Sequence, residues 1–506
     1  MKLKKTTAFK ISVILALSSV LIYTTQCQKN FDLKSYSPSS LPQANIKTVS
    51  VNNGGAFYCS ISGGCPVTLT GDNFFINSKV FIGPYECLNS VSAADFKSIT
   101  CTVGPGQNGV YNFSVVNPDG QSSKLDASVT NPTALQFSYA SFLYIGSTDG
   151  TFSVPASGKV YAYAQHPTDG SLITITGSPF TIGTEFGTYG VAIGPNNKFL
   201  YAANTSSGTV SVFAIDPTNG KLTASGTPIS SGGAVPNGLF FHPSGNFLYV
   251  TNQGGNSVTG FKVAVNGSLS LIAGSPFPTT GATSINGVVI SANGQFLYAA
   301  AGGGNGGVSA FTIDPLTGVL TTITGSPFIN TLGGVTTNPG DGISIHPNGK
   351  WLYMGLFGIR KTSVWTINQM TGALTAVEPP ILNNATTGYV DNRGSASTVS
   401  ADGLFFYGTA FSSVSTDPKK IIIYSIDPLT GGLTRSSEAT TGGGPNDIRL
   451  DTTGFFAYTC NTENPPSISA FSVNKTTGAL TALAVPNYSI PAPAMGPGIM
   501  VMQRNK

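Results

Sequence analysis

Charge is scarce in this chain: only 9% of its 506 residues are Asp, Glu, Lys or Arg, and it has three histidines and two tryptophans. The net charge of +4 is small for this length, and no basic run lies beyond the N-terminus, so nucleic acid is not an expected partner. No long stretch carries apolar residues at helical spacing, which excludes a helical protein. The longest apolar run, Ile11–Tyr23, is short of the roughly 20 residues that a membrane-spanning helix needs. What abounds is Gly, at 62 residues, with 32 Pro and many Ser, Thr and Asn. That composition suits many short strands joined by tight turns, and the length leaves room for two or more domains.

Residues 1–26 form a targeting segment: Lys2, Lys4, Lys5 and Lys10 make a positive stretch ahead of the apolar run. Cys27 follows in LIYTTQC, which resembles a bacterial lipobox. The resemblance implies cleavage before Cys27 and lipidation of that residue. Gln26 departs from the pattern, where a small residue is usual, and an ordinary secretory signal is the alternative. Either way the protein is expected outside the cytoplasm, as an outer-membrane or cell-surface lipoprotein, or else periplasmic or secreted. Residues 27–44 are polar with clustered Ser and Pro and read as a tether; residues 28–44 could extend about 55 Å.

The rest of the chain is dominated by a repeat. PNNKFLYAAN (195–204) returns as HPSGNFLYVTN, SANGQFLYAAA, HPNGKWLYMGL, SADGLFFYGTA and DTTGFFAYTCN, with a shortened copy at 141–147. Its tyrosines are Tyr144, Tyr201, Tyr249, Tyr298, Tyr353, Tyr407 and Tyr458, and each copy is followed by Gly-x-Leu at Gly170, Gly220, Gly267, Gly318, Gly372, Gly431 or Gly478. Two markers in constant order over seven copies identify a repeat protein. One unit divides into four strands, at 238–241, 247–252, 258–263 and 269–273. A sheet of four short strands cannot cover its own faces, and seven set radially cover one another as a β-propeller. The first copy lacks an inner strand, and GPGIMVMQR (496–504) matches the inner-strand pattern, so the C-terminal strand is expected to close the ring.

Residues 45–131 form a separate unit with alternating apolar residues such as Val67 and Leu69, and an Asn117-Pro118-Asp119-Gly120 turn. GGCPVTLTGDNF, KVFIGPYEC, SITCTV and the NPDG turn together resemble the IPT/TIG domain, which implies an immunoglobulin-like β-sandwich. Cys59, Cys65, Cys87 and Cys101 lie here, and in an exported chain they suggest disulfides with three open connectivities. The pairing 59–65 with 87–101 is the one favoured; cysteines recur in the family at the places of the second pair. With no His in this unit and unsuitable spacings, zinc is not expected. Cys460 is expected to be a buried, unpaired residue.

The unit HPSGNFLYVTN…VTGFKV…NGSL, with GSPF tails, is similar to the lactonase-family seven-bladed propeller that includes 6-phosphogluconolactonase-like proteins, over about 139–504. The fold class expected is therefore all-β: this propeller, closed by the C-terminal strand, behind a sandwich. Enzymes of that family place His, Glu and Arg in the central cleft, a His preceding one inner strand. Here that position reads Tyr189, Asn237, Asn286, Asp341, Ser395, Asn446 and Pro497, without imidazole. His166, His242 and His346 all lie in His-Pro turns and read as turn caps.

The candidate ligand-binding residues are therefore Asn237, Asn286, Asp341, Asn446, Asp447 and Arg449, with Asp391 and Arg393 beside them. Arg449 falls where other copies carry Ala192, Phe240, Val289, Ser344, Thr398 and Met500, and an Arg on an innermost strand must find an anion. The reading divides between a salt bridge with Asp447 or Asp341 and a ligand carboxylate or phosphate. The same oxygens could ligate Ca²⁺ in the channel; no other cofactor is expected. Opening a lactone needs a base and an oxyanion partner, for which the catalytic candidates are Asp341 with Arg393 or Arg449. The function expected is a monomeric, lipid-anchored binding or scaffold protein, its partner a protein, a glycan or a small anion. A lactone hydrolase is the alternative.

Overall fold

A computed structural model describes residues 41–51, 58–125, 129, 136–151, 154–304, 307–329, 342–356, 361–377, 381–382, 396–410, 419–462, 465–490 and 494–503. The chain divides into two compact units. The smaller comprises residues up to Asn52 with Pro66–Gly104 and Tyr111–Phe137; the larger holds Asn53–Cys65, Pro105–Val110 and Ser138–Lys506.

The smaller unit is an immunoglobulin-like sandwich. One sheet orders Leu88–Ser92, Ser98–Thr102, Pro66–Asp72, Asn45–Val51 and Lys124–Leu125; facing strands include Lys79–Ile82, Tyr85–Glu86 and Gly109–Val116. Alternation does the sorting, since Val67, Leu69 and Gly71 of the second strand in sequence point inward while Thr68 and Thr70 do not. Cys87 and Cys101 are joined across this unit. The Asn117 carbonyl accepts from Gly120 N–H at 2.8 Å, and Gly120 takes a φ of 86°, as the turn chemistry requires. Residues 41–44, read above as tether, belong to the sandwich: Ala44 is buried, and Asn117 and Gln121 side chains bond the carbonyls of Pro42 and Leu41.

The larger unit holds seven radial sheets among the described residues. Blade two runs Thr188–Ile193, Phe199–Asn204, Thr209–Ile215 and Leu222–Ala224, each strand antiparallel to the last. Blade three, Pro236–Phe241 to Leu269–Leu271, has the strand limits drawn from its sequence to within two residues at each end. The inner strand of blade one is Ala494–Met502, the chain's last strand, paired antiparallel with Gln136–Thr151 so that Met502, Val501 and Met500 face Leu143, Tyr144 and Ile145. The C-terminal strand thus closes the ring. The Cys59–Cys65 disulfide belongs to this unit, where Tyr58–Ser60 lies parallel to Ser138–Ala140.

The two repeat markers find each other. Each marker Tyr is buried, and its hydroxyl donates to the carbonyl of the marker Gly in the next blade: Tyr144 to Gly220, Tyr201 to Gly267, Tyr249 to Gly318, Tyr298 to Gly372 and Tyr353 to Gly431, at 2.7–3.1 Å. Tyr458 in blade seven reaches Gly170 in blade one at 2.6 Å, completing the circle. The same glycines sit at positive φ against the aromatic ring two residues ahead of each Tyr, as Gly318 does on Phe247 and Gly431 on Trp351. Tyr407 is the exception, its buried hydroxyl lacking a protein partner. The GSPF tails also gain a role: Ser178, Ser275 and Ser326 hydroxyls cap the N–H groups of Ala162, Gly260 and Ala310.

Candidate functional site

The inner strands begin at one end of the axis and converge there because a Gly follows the rim residue in most of them, as Gly190 follows Tyr189 and Gly238 follows Asn237. A Cβ on Gly238 would meet the Asn286 carbonyl of the next blade at 2.5 Å, so only a residue without a side chain admits that approach. This spacing brings the preceding residues together. Asn237 Nδ2 donates to Asn286 Oδ1 at 3.5 Å, joining blades three and four. Across the mouth, Asn446 Nδ2 donates to the Tyr189 hydroxyl at 3.0 Å and to the Gly498 carbonyl at 3.3 Å. Tyr189 was not among the candidates; it stood in the same register, and its hydroxyl was the available signal.

Blade seven breaks the glycine rule. Asp447 stands where other copies have Gly190, Gly238 or Gly498, and it is wholly buried. Arg449, two residues on, is the other departure in the same strand. The two meet, with Arg449 Nη2 3.1 Å from Asp447 Oδ2. Asp447 also accepts from Met500 N–H at 2.8 Å and from its neighbour Ile448 N–H at 2.9 Å. Arg449 donates through Nε to the Met500 carbonyl at 3.0 Å and through Nη1 to the Ile448 carbonyl at 3.2 Å. Burial pushes the Asp447 carboxyl above the usual carboxylate range, opposed by Arg449 and the two N–H groups. Behind it, Cys460 is buried and outside any disulfide, its thiol donating to the Gly498 carbonyl oxygen at 3.0 Å. Burial, with the Asp447 charge second, raises its thiol well above the ordinary value.

Asp341, Asp391 and Arg393 lie outside the described residues, as does Cys27. Among the described residues no group of three or more His, Cys, Asp or Glu gathers as a metal site would require.

The three histidines hold turns, His242 and His346 at the far end of inner strands and His166 after the third strand of blade one. His242 Nδ1 accepts from Ser244 N–H at 3.1 Å, leaving Nε2 to donate to the Gly294 carbonyl in the next blade at 3.0 Å. His346 repeats this with Asn348 N–H and Gly403. Burial lowers the His242 pKa, keeping that imidazole neutral. His166 Nδ1 lies 3.1 Å from the Thr168 hydroxyl in its own turn.

Known proteins share this architecture. A 6-phosphogluconolactonase of Serratia proteamaculans (strain 568) is 30% identical over 163 residues, 31% of this chain and 48% of that protein, so the match spans about half of the relative's length. The periplasmic gluconolactonase PpgL of Pseudomonas aeruginosa aligns at a TM-score of 0.60 with 17% identity, over 72% of this chain and 100% of that one. A protein from Lactobacillus plantarum aligns at 0.57 with 16% identity, over 72% and 99%. At these identities the structural likeness carries the fold alone. Residues 56–139 match the IPT/TIG domain. Residues 173–286, 239–380 and 325–495, together more than half of the chain, match the family described as Lactonase, 7-bladed beta-propeller, and the chain belongs to that family.

Proposed function

We propose that this chain is an exported binding protein, anchored through lipid on Cys27, whose propeller mouth holds a hydroxyl-rich ligand such as a glycan. The observation that carries the reading is the engagement of Arg449: Asp447 and two peptide carbonyls take three of its five N–H groups. A guanidinium tied in this way is not poised for a developing oxyanion. Asn237, Asn446 and Tyr189 are part-exposed at the same rim beside the buried Asn286, and amides that both donate and accept suit sugar hydroxyls. Calorimetric titration against an oligosaccharide panel tests this. A hit weakened at least tenfold by Asn237→Ala with Asn446→Ala supports it; a panel without hits, or a hit indifferent to both changes, overturns it. The anchor is tested by labelling cells with a radioactive fatty acid, where Cys27→Ala should abolish incorporation.

A second reading is lactone hydrolysis, with Asp341 as base and Arg393 as oxyanion partner. It is favoured by the names of the relatives, a 6-phosphogluconolactonase and a periplasmic gluconolactonase. Turnover of 6-phosphogluconolactone or glucono-1,5-lactone that disappears in both Asp341→Asn and Arg393→Ala would put this reading in place of the first.

A further inference from the structure

The closing strand Ala494–Met502 is held by its neighbour in blade one along one edge only. Its other edge faces blade seven, and an unpaired strand edge is a place where pairing fails or goes astray. At Met500 both peptide groups point that way, and both are bonded by side chains: the N–H by Asp447 and the carbonyl by Arg449. One residue accepts and the other donates, as two positions on a neighbouring strand would. Asn446 adds a third bond, to the Gly498 carbonyl of the same strand. The two residues that depart from the repeat pattern therefore act on one target, and the ion pair between them fixes their spacing.

We propose that Asp447 and Arg449 are a latch that seats the C-terminal strand, so that ring closure depends on an ion pair in blade seven as well as on strand pairing in blade one. The latch acts as a surrogate strand segment: it satisfies the free edge at Met500, the partner of Ile145, where backbone pairing on the other side turns irregular between Ile145 and Ser147. Removing Arg449 leaves the buried Asp447 carboxylate without its counter-charge, and removing either partner leaves an unbonded peptide group of Met500 in the strand that closes the ring.

Hydrogen–deuterium exchange of the full chain tests this. Arg449→Met and Asp447→Asn should each speed exchange in 494–503 and in the facing 141–147 at least tenfold, while 236–252 and 296–313 in blades three and four stay as in the parent. The double variant should show no more loss than either single one, since each breaks the same unit. Unchanged exchange at 494–503 would overturn the latch, and so would an equal acceleration in every blade. Should Asp447→Asn fail to fold, Arg449→Lys carries the test. It keeps the charge beside Asp447 but lacks the forked donor set, and it should loosen the closing strand by several-fold; parent-like exchange in that variant would sink the proposal.

Discussion

At the scale of single residues, the ring is built from one exchange repeated around the axis: a tyrosine hydroxyl for a glycine carbonyl. Tyr298→Phe leaves the Gly372 carbonyl without its buried donor and should cost about 1–2 kcal/mol in denaturant titration. Tyr407→Phe should be close to neutral, because that hydroxyl has no protein partner to lose. Gly318→Ala would set a Cβ 2.6 Å from the Phe247 ring at a φ of 75°, and should cost roughly 2–4 kcal/mol. Turns of sequence Asp-Pro-Leu-Thr-Gly, at 314–318 and 427–431, add a pH dependence. Backbone N–H groups, those of Thr317 and of Leu429 foremost, hold the Asp314 and Asp427 carboxyls below their ordinary range. Their contribution is complete above the unfolded carboxylate pKa, near 4, and is lost as pH falls through the depressed values. Between pH 6 and 2.5 the melting temperature of Asp314→Asn/Asp427→Asn should therefore fall less steeply than that of the parent. Both markers were plain in the sequence because every blade repeats them. That they bond each other was not, since the partners lie 66 to 78 residues apart along the chain and 288 at the seam.

At the scale of elements, the strand limits were legible because Gly and Asp-Pro turns punctuate an alternating pattern, and the closing strand because its motif stood without a blade. The mouth was legible as a ring of amides but not as a set of bonds. Asp447 and Arg449 were both singled out, yet their shared target needed the register that places Met500 beside them. The signal was available, since Asp447 occupies the glycine position of other copies and Arg449 the apolar one. Composition misjudged residues 41–44, which were read together with the Ser- and Pro-rich stretch before them although the Pro42 and Leu41 carbonyls are used by Asn117 and Gln121. Deleting residues 494–506 removes the buried Met500 and Met502, each worth about 1.5–3 kcal/mol, and leaves the edge of Gln136–Thr151 bare. That variant should unfold or aggregate, as light scattering and far-ultraviolet circular dichroism would show.

At the scale of the whole molecule, two compact units with separate cores should melt as distinguishable transitions. The Cys87–Cys101 bridge lies in the sandwich and closes a loop worth about 3 kcal/mol in the chain-entropy estimate. In differential scanning calorimetry, Cys87→Ser/Cys101→Ser should lower one transition by several degrees and leave the other in place. The propeller adds a mechanical property. Leu143, the first residue of Gln136–Thr151 to pair with the closing strand, meets Met502, the last residue of that strand. A pull between the N-terminal side and the C-terminus would therefore load that ladder in peeling geometry, one pair after another, and not in shear. Under tension the ring would open at modest force from the Leu143–Met502 end, with the side-chain grip on Met500 as the first point of resistance beyond the ladder.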